Sequence, residues 1–218
     1  MKSLFQFFLI LHIIGGTLGL LSGTINILMK KGNKRHKQNG KLFVYGMLTA
    51  GFSSLVLALL HPNIFLFMTG VFTLYMVGTG SRYIRLRLVG INQKPKLLDW
   101  SLTISMLFGG IFLISQGIYF LLNSTLFGWV YVTFGLFGFL FVKGDLDNYM
   151  GKFRFKNYWL LAHVSRMTGG YIASVTAFLV VNTHHLPVPL PLVFIWLFPS
   201  LIIVPFIIIW TKKLAVNV

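Results

Sequence analysis

The chain has no cysteine, no glutamate and only three acidic residues among its 218. Without cysteine it can form no disulfide, no thiolate metal site and no thioether bond to haem. The acids are Asp99, Asp145 and Asp147, so any carboxylate chemistry is confined to these positions. Apolar residues make up 56% of the chain and charged residues only 10%, a balance that indicates a protein of the lipid bilayer rather than a soluble domain.

The net charge of +16 would be typical of a nucleic-acid-binding protein, but its distribution argues against that class. Nearly all of the 19 lysines and arginines lie in four clusters, at 30–41, 82–96, 143–156 and 212–213. These clusters occupy alternate connections between apolar runs, which is the positive-inside pattern. The sequence therefore predicts a lipid bilayer with anionic head groups on the cytoplasmic side as the partner, and no nucleic acid.

Seven apolar segments approach the length of about 20 residues that a helix needs to cross a bilayer. They lie at about 4–29, 42–61, 64–81, 100–122, 126–143, 158–181 and 192–211. The fold class is therefore all-α, a polytopic transmembrane bundle with its N-terminus outside and its C-terminus in the cytoplasm. No linker divides the chain, so residues 1–218 are predicted to form one integral domain. The expected location is the plasma membrane, as in a bacterial inner membrane.

The first span carries a histidine at the head of a glycine stripe. His12, Gly16, Gly19 and Gly23 recur at helical spacing, with Gly15 beside them. One interpretation is a groove for helix packing, in which His12 forms a hydrogen bond with a neighbouring helix. The other is a groove for a flat ligand, with His12 as an axial ligand of its metal. Both interpretations are compatible with the spacing.

The sixth span contains two ionisable residues one turn apart, His163 and Arg166. A cation in hydrocarbon costs about 2.5–3.5 kcal/mol on insertion scales, so it must face protein, water or a bound group. Arg166 could form an ion pair with Asp145 or Asp147, or it could bind a ligand together with His163. Tyr171 lies beside the same helix face and completes this candidate site.

His36 is placed by the charge pattern in a basic loop at the level of His163. These two histidines could share a cytoplasmic-side site, as haem ligands or, with Asp145 or Asp147, as zinc ligands. No zinc signature spacing is present. His12 differs from His163 by about 15 Å in depth, which predicts two separate environments.

Three groups of residues resemble a predicted bacterial membrane-protein family known as domain of unknown function 2306. They are His12 with its glycines, Arg35-His36 followed by Gly40, and His163 with Arg166, Met167, Tyr171 and the run Thr176-Ala-Phe178. The resemblance covers most of the chain. In that family the loop motif is commonly His-Arg, whereas here the order is Arg35-His36. The resemblance implies a small polytopic fold with histidine-bearing helices and no established reaction.

Four functions follow from these features. The first is a haem b protein of membrane electron transfer, working with a quinone. The second is a transporter or small-molecule-binding protein that uses His163 and Arg166. The third is an intramembrane metal-dependent hydrolase, and the fourth is a scaffold without chemistry.

Overall fold

The computed structural model describes residues 2–185 and 190–217, in which seven α-helices are long and apolar enough to cross a membrane. They are α1 (Lys2–Leu28), α2 (Lys34–Leu60), α3 (Ile64–Tyr83), α4 (Leu97–Leu122), α5 (Gly128–Tyr149), α6 (Tyr158–Val181) and α7 (Leu192–Leu214). Helices account for 81% of the described residues, which confirms the predicted all-α fold with seven spans.

The largest differences from the predicted spans lie at one end of α2 and one end of α5. Helix α2 begins well before the predicted start at 42, because the Asn33 side chain accepts a hydrogen bond from the His36 backbone N–H at 2.8 Å and caps the helix. Helix α5 continues past 143. His36 is therefore in the first turn of α2 rather than in a loop, and Asp145 and Asp147 are within α5 rather than after it. The length of an apolar run gives only the part of a helix that lies in hydrocarbon. Both helices continue beyond that part into the polar interface, so their ends were predicted too short.

Helix α3 lies at the centre of the bundle. It packs against α2, α4 and α6, and its buried side chains join those of α4 and α5 in the main core. The buried members of that core are Met68, Phe72, Tyr75, Met76, Met106, Leu113, Val130, Tyr131, Phe134 and Val142. Helices α1 and α7 are peripheral and leave most of their surface exposed. Lipid chains satisfy such apolar faces as well as protein does.

The antiparallel packing of α1 on α2 depends on glycine. A Cβ added at Gly15 would lie 2.7 Å from the Gly46 carbonyl oxygen and 2.9 Å from the Ala50 nitrogen. Because these are backbone atoms, they cannot move aside as a side chain can. A Cβ at Gly16, by contrast, would meet no atom within 4 Å. Gly15 therefore allows the two helix backbones to approach closely, while Gly16 does not contribute to this contact.

The connections that carry the basic clusters lie at one end of the bundle, which we call the basic end. Three contacts join them: the Tyr158 hydroxyl donates to the Arg87 carbonyl at 2.9 Å, the Lys156 N–H donates to the Val216 carbonyl at 2.8 Å, and the Lys31 ammonium lies 5.9 Å from the centre of the Trp210 ring. The basic clusters thus share one end, as the alternating pattern predicts. The assignment of that end to the cytoplasm stays a prediction.

Candidate functional site

A fully buried ion pair joins α6 to α5. The Arg166 Nη2 donates to Asp145 Oδ1 at 2.6 Å, and the two side chains are 4% and 0% exposed. The same nitrogen donates to the Phe141 carbonyl at 2.8 Å and to the Tyr75 hydroxyl at 3.2 Å. A buried guanidinium is tolerated when a carboxylate and hydrogen bonds compensate its lost hydration. Of the two acids that the sequence offered, the structure selects Asp145.

The Asp145 carboxylate accepts hydrogen bonds on both of its oxygens. Tyr75 donates to Oδ2 at 2.5 Å, Tyr83 donates to Oδ1 at 2.7 Å, and Thr103 donates to Oδ2 at 3.3 Å. We call these residues, with Arg166, the Arg166–Asp145 cluster. They come from α3, α4, α5 and α6, so the cluster ties four helices together. A carboxylate with this many donors has little capacity left for a metal ion or a substrate.

A second ion pair lies nearer the basic end and is connected to the first. Arg82 donates to both oxygens of Asp99, from Nε and from Nη2, each at 2.7 Å. Asp99 also accepts the Lys96 backbone N–H at 2.8 Å and so caps α4. The single proton of the Thr103 hydroxyl is shared between Asp145 Oδ2 and the Asp99 main-chain carbonyl at 3.0 Å, and the hydroxyl oxygen lies 3.3 Å from the Tyr149 hydroxyl. Thr103 thus links the two ion pairs into one polar network.

His163 lies one turn from Arg166 but outside this network. Its Nδ1 is 2.8 Å from the Gly80 carbonyl oxygen of α3. Since a carbonyl only accepts, Nδ1 carries the proton and Nε2 of the neutral ring presents a lone pair. Nε2 has no hydrogen-bond partner within the described ranges, and the side chain is half-buried. This arrangement leaves one oriented imidazole nitrogen available for a ligand.

His36 supplies a second imidazole with unused capacity at the basic end. Its Nδ1 is buried and has no hydrogen-bond partner in the part of the chain that the structure describes. His36 lies in the first turn of α2 and His163 in the second turn of α6, and their convergence on one ligand stays a prediction. Lys34 and Arg35 flank His36 and are exposed at the basic end. We call His36 and His163 together the histidine site.

His12 makes the same kind of bond as His163, but in a packed environment. Its Nδ1 lies 2.9 Å from the Ala50 carbonyl oxygen of α2. The adjacent glycines on α1 are covered: Met47 lies against Gly19, and Tyr171 lies against Gly23. Gly16 faces open space, so the structure supports the helix-packing interpretation at Gly19 and Gly23.

Tyr171, predicted to help bind a cofactor, instead bridges α6 and α1. Its hydroxyl lies 2.9 Å from the Thr24 hydroxyl, and a Cβ at Gly23 would meet its ring at 2.5 Å. The ring fills the space that Gly23 leaves, and the hydroxyl satisfies Thr24 within the membrane. Packing against Gly23 and the hydrogen bond with Thr24 explain the position of Tyr171 without a cofactor.

The predicted zinc ligands do not converge. Among residues 2–185 and 190–217, no three histidine, aspartate or glutamate side chains form a group that could hold a metal ion. Asp145 is engaged by Arg166 and the tyrosines, and Asp147 is paired with Lys143 at 2.6 Å on the surface. His36 and His163 are thus without a carboxylate partner, so the geometry does not favour the hydrolase hypothesis.

Sequence analysis did not identify Tyr75, Tyr83 and Thr103 as partners of the buried charges. A signal was present, because Tyr75 and Tyr83 are eight residues apart and share one face of a span. A hydroxyl within a membrane span needs a hydrogen-bond partner, just as a charge needs a counter-ion. Here the three hydroxyls all bond to the Asp145 carboxylate.

Comparison with protein-family models, with curated proteins and with solved structures found no match. The class of the protein is defined by its fold and its polar residues. It is a polytopic helical membrane protein with a buried polar network and two histidines outside that network.

Proposed function

We propose that this protein binds haem b through His36 and His163 at the basic end and takes part in membrane electron transfer. The observation that supports it is the arrangement at His163, whose Nδ1–H is held by the Gly80 carbonyl while Nε2 has no partner among the described residues. A histidine that ligates a metal commonly donates its other N–H to a carbonyl in this way. Haem held only by imidazoles also suits a chain without cysteine.

The surrounding residues fit a haem of this kind. His36 provides a second imidazole with a buried, unpartnered nitrogen. One turn along α2, a Cβ at Gly40 would have Asn26 Nδ2 at 3.6 Å as its nearest neighbour, so the helix surface beside His36 is less crowded than at Gly15. Lys34 would pair with a haem carboxylate. The bound iron would supply one-electron redox chemistry.

The chain's own residues would orient and insulate the group. Gly80 lets α6 approach α3, since a Cβ there would lie 2.9 Å from the Arg166 Cβ. That approach brings His163 to the Gly80 carbonyl and fixes the imidazole plane. The Arg166–Asp145 cluster holds α6 against α3 and α5. It therefore affects the histidine site only by positioning His163.

The remaining parts of the proposal concern family and location. Two of the three residue groups that resemble domain of unknown function 2306 contain His36 and His163, so we propose membership of that family. We also propose a bacterial plasma membrane, with the basic end in the cytoplasm. A quinone is the proposed redox partner, because it is a membrane-soluble electron carrier.

The test is a visible absorption spectrum of the full chain, purified in detergent from cells supplied with haem. We expect a Soret band that shifts and sharpens on reduction, and its loss in His163→Ala and in His36→Ala. His12→Ala and His184→Ala are the matched controls and should keep the band. A colourless wild-type protein would refute haem binding.

A second candidate is binding or transport of a small solute at the same histidines. It is favoured by the partial exposure of both histidines at the basic end. Arg166 would not recognise the solute, since Asp145 already neutralises it. A colourless protein whose thermal stability and liposome uptake respond to an anionic or protonatable solute, with loss of both in His163→Ala, would favour this function.

A further inference from the structure

A groove between α1 and α2 at the basic end carries an inference that does not depend on the histidine site. It has a volume of about 430 Å³. The groove is lined by Ile25, Met29, Arg35, Gln38, Asn39 and Leu42. One part of this lining is apolar and the other is cationic or amide-bearing, so the groove is amphipathic.

The apolar part continues along the membrane. On α1, Leu18 and Leu21 share the face of Ile25 and are exposed. On α2, Tyr45 continues the face of Leu42 and is also exposed. An exposed apolar track therefore runs from the groove toward the middle of the bilayer, where only hydrocarbon chains are available to cover it.

The polar part is built to receive an anion with hydrogen-bonding groups. The Arg35 guanidinium is exposed and takes part in none of the ion pairs found in the described residues. Asn39 is held in place, because its Nδ2 donates to the Ser22 carbonyl at 2.7 Å. A fixed amide leaves its oxygen as an acceptor for a hydroxyl group.

We propose that this groove binds an anionic phospholipid. Its phosphate would pair with Arg35, head-group hydroxyls would bond to Asn39, and one acyl chain would lie along Ile25 and Leu42. Charge complementarity supports this occupant over a zwitterionic lipid, because basic residues greatly outnumber the three acids at this end. The apolar track supports a lipid over free phosphate, which would leave that surface unused.

The test is native mass spectrometry of the full-length protein with equal amounts of phosphatidylglycerol and phosphatidylcholine. Wild type should retain phosphatidylglycerol in preference. Arg35→Gln should lower that preference about fivefold, as expected for one cation at a membrane surface. Arg85→Gln removes an exposed arginine from the same end but outside the groove, and should change the preference by less than about twofold.

Two further measurements separate the alternatives. Leu42→Trp fills the groove without changing charge and should also reduce retained phosphatidylglycerol, which keeps the test valid if Arg35→Gln does not fold. Glycerol 3-phosphate at the same concentration should not compete with the lipid. Equal losses in Arg35→Gln and Arg85→Gln would show a diffuse basic surface and overturn the proposal, as would full competition by glycerol 3-phosphate.

Discussion

The Arg166–Asp145 cluster and the histidine site meet on α6 one helical turn apart, but their polar atoms are satisfied to different degrees. In the cluster, a carboxylate with 0% exposure accepts four side-chain donors. At the histidine site, two half-buried imidazoles keep nitrogens without a partner in the described part of the chain. The Asp145 carboxylate is saturated, although the buried Arg166 Nε has no hydrogen-bond partner among the described residues. A buried carboxylate whose acceptor sites are used holds helices together, whereas imidazole nitrogens without a partner are available to a ligand. Intramembrane charge alone does not identify a functional site.

The largest effect on stability is expected when one half of the buried ion pair is removed. Arg166→Leu should destabilise the protein by roughly 3–5 kcal/mol, because it leaves the Asp145 charge buried without its counter-ion. Arg166→Leu combined with Asp145→Leu should recover much of that loss, since no lone charge remains. Thermal unfolding in one detergent measures both. A single variant as stable as wild type would contradict the structural role of the pair.

Removal of one donor to the carboxylate should have an intermediate effect. Tyr83→Phe deletes the hydroxyl that donates to Asp145 at 2.7 Å and should lower the free energy of unfolding by about 1.5–3 kcal/mol. Tyr45→Phe, on the exposed face of α2, is the matched control and should have little effect. Equal effects of the two changes would argue against a saturated Asp145 carboxylate.

The glycine stripe offers a test of the interpretation of His12. Gly15→Val should destabilise the protein by about 1–3 kcal/mol, because the new side chain meets backbone atoms of α2 that cannot move aside. Gly16→Val places the same side chain in open space and should cost far less. If Gly15→Val instead lowered haem content without changing the unfolding temperature, the stripe would belong to a ligand site.

The smallest effect is expected at the surface of α5. Lys143→Ala breaks the exposed pair with Asp147, whose side chains are 74% and 33% exposed. Such pairs contribute about 0–1 kcal/mol, so the unfolding midpoint should hardly move. A large loss of stability measured by thermal unfolding would show that burial does not distinguish the two acids of α5.

Hydropathy and charge alternation were enough to predict seven spans and the gathering of the basic clusters. The choice between Asp145 and Asp147 required the angular position on α5, where residues two apart point about 200° apart. Asp145 shares a face with Val142 and Tyr149, both buried, so this choice was accessible once the helix was known to continue.

The partners of Asp145 on other helices were not accessible in the same way. Tyr75, Tyr83 and Thr103 meet this carboxylate only because α3 is central and packs beside α4 and α6. No spacing within one segment specifies which helices become neighbours. For the same reason, the Gly80 carbonyl could not be predicted as the partner of His163. Every residue has a main-chain carbonyl, so the residue type does not indicate which one accepts the bond.

The Arg166–Asp145 cluster and the histidine site have separate roles, and one paired measurement can distinguish them. Haem content per folded protein and the unfolding temperature are determined for His163→Ala and Tyr83→Phe in the same detergent. We expect His163→Ala to lose haem with little change in the unfolding temperature of the haem-free protein. We expect Tyr83→Phe to keep its haem and to unfold at a lower temperature. Retained haem in His163→Ala, or haem loss at unchanged stability in Tyr83→Phe, would contradict these separate roles.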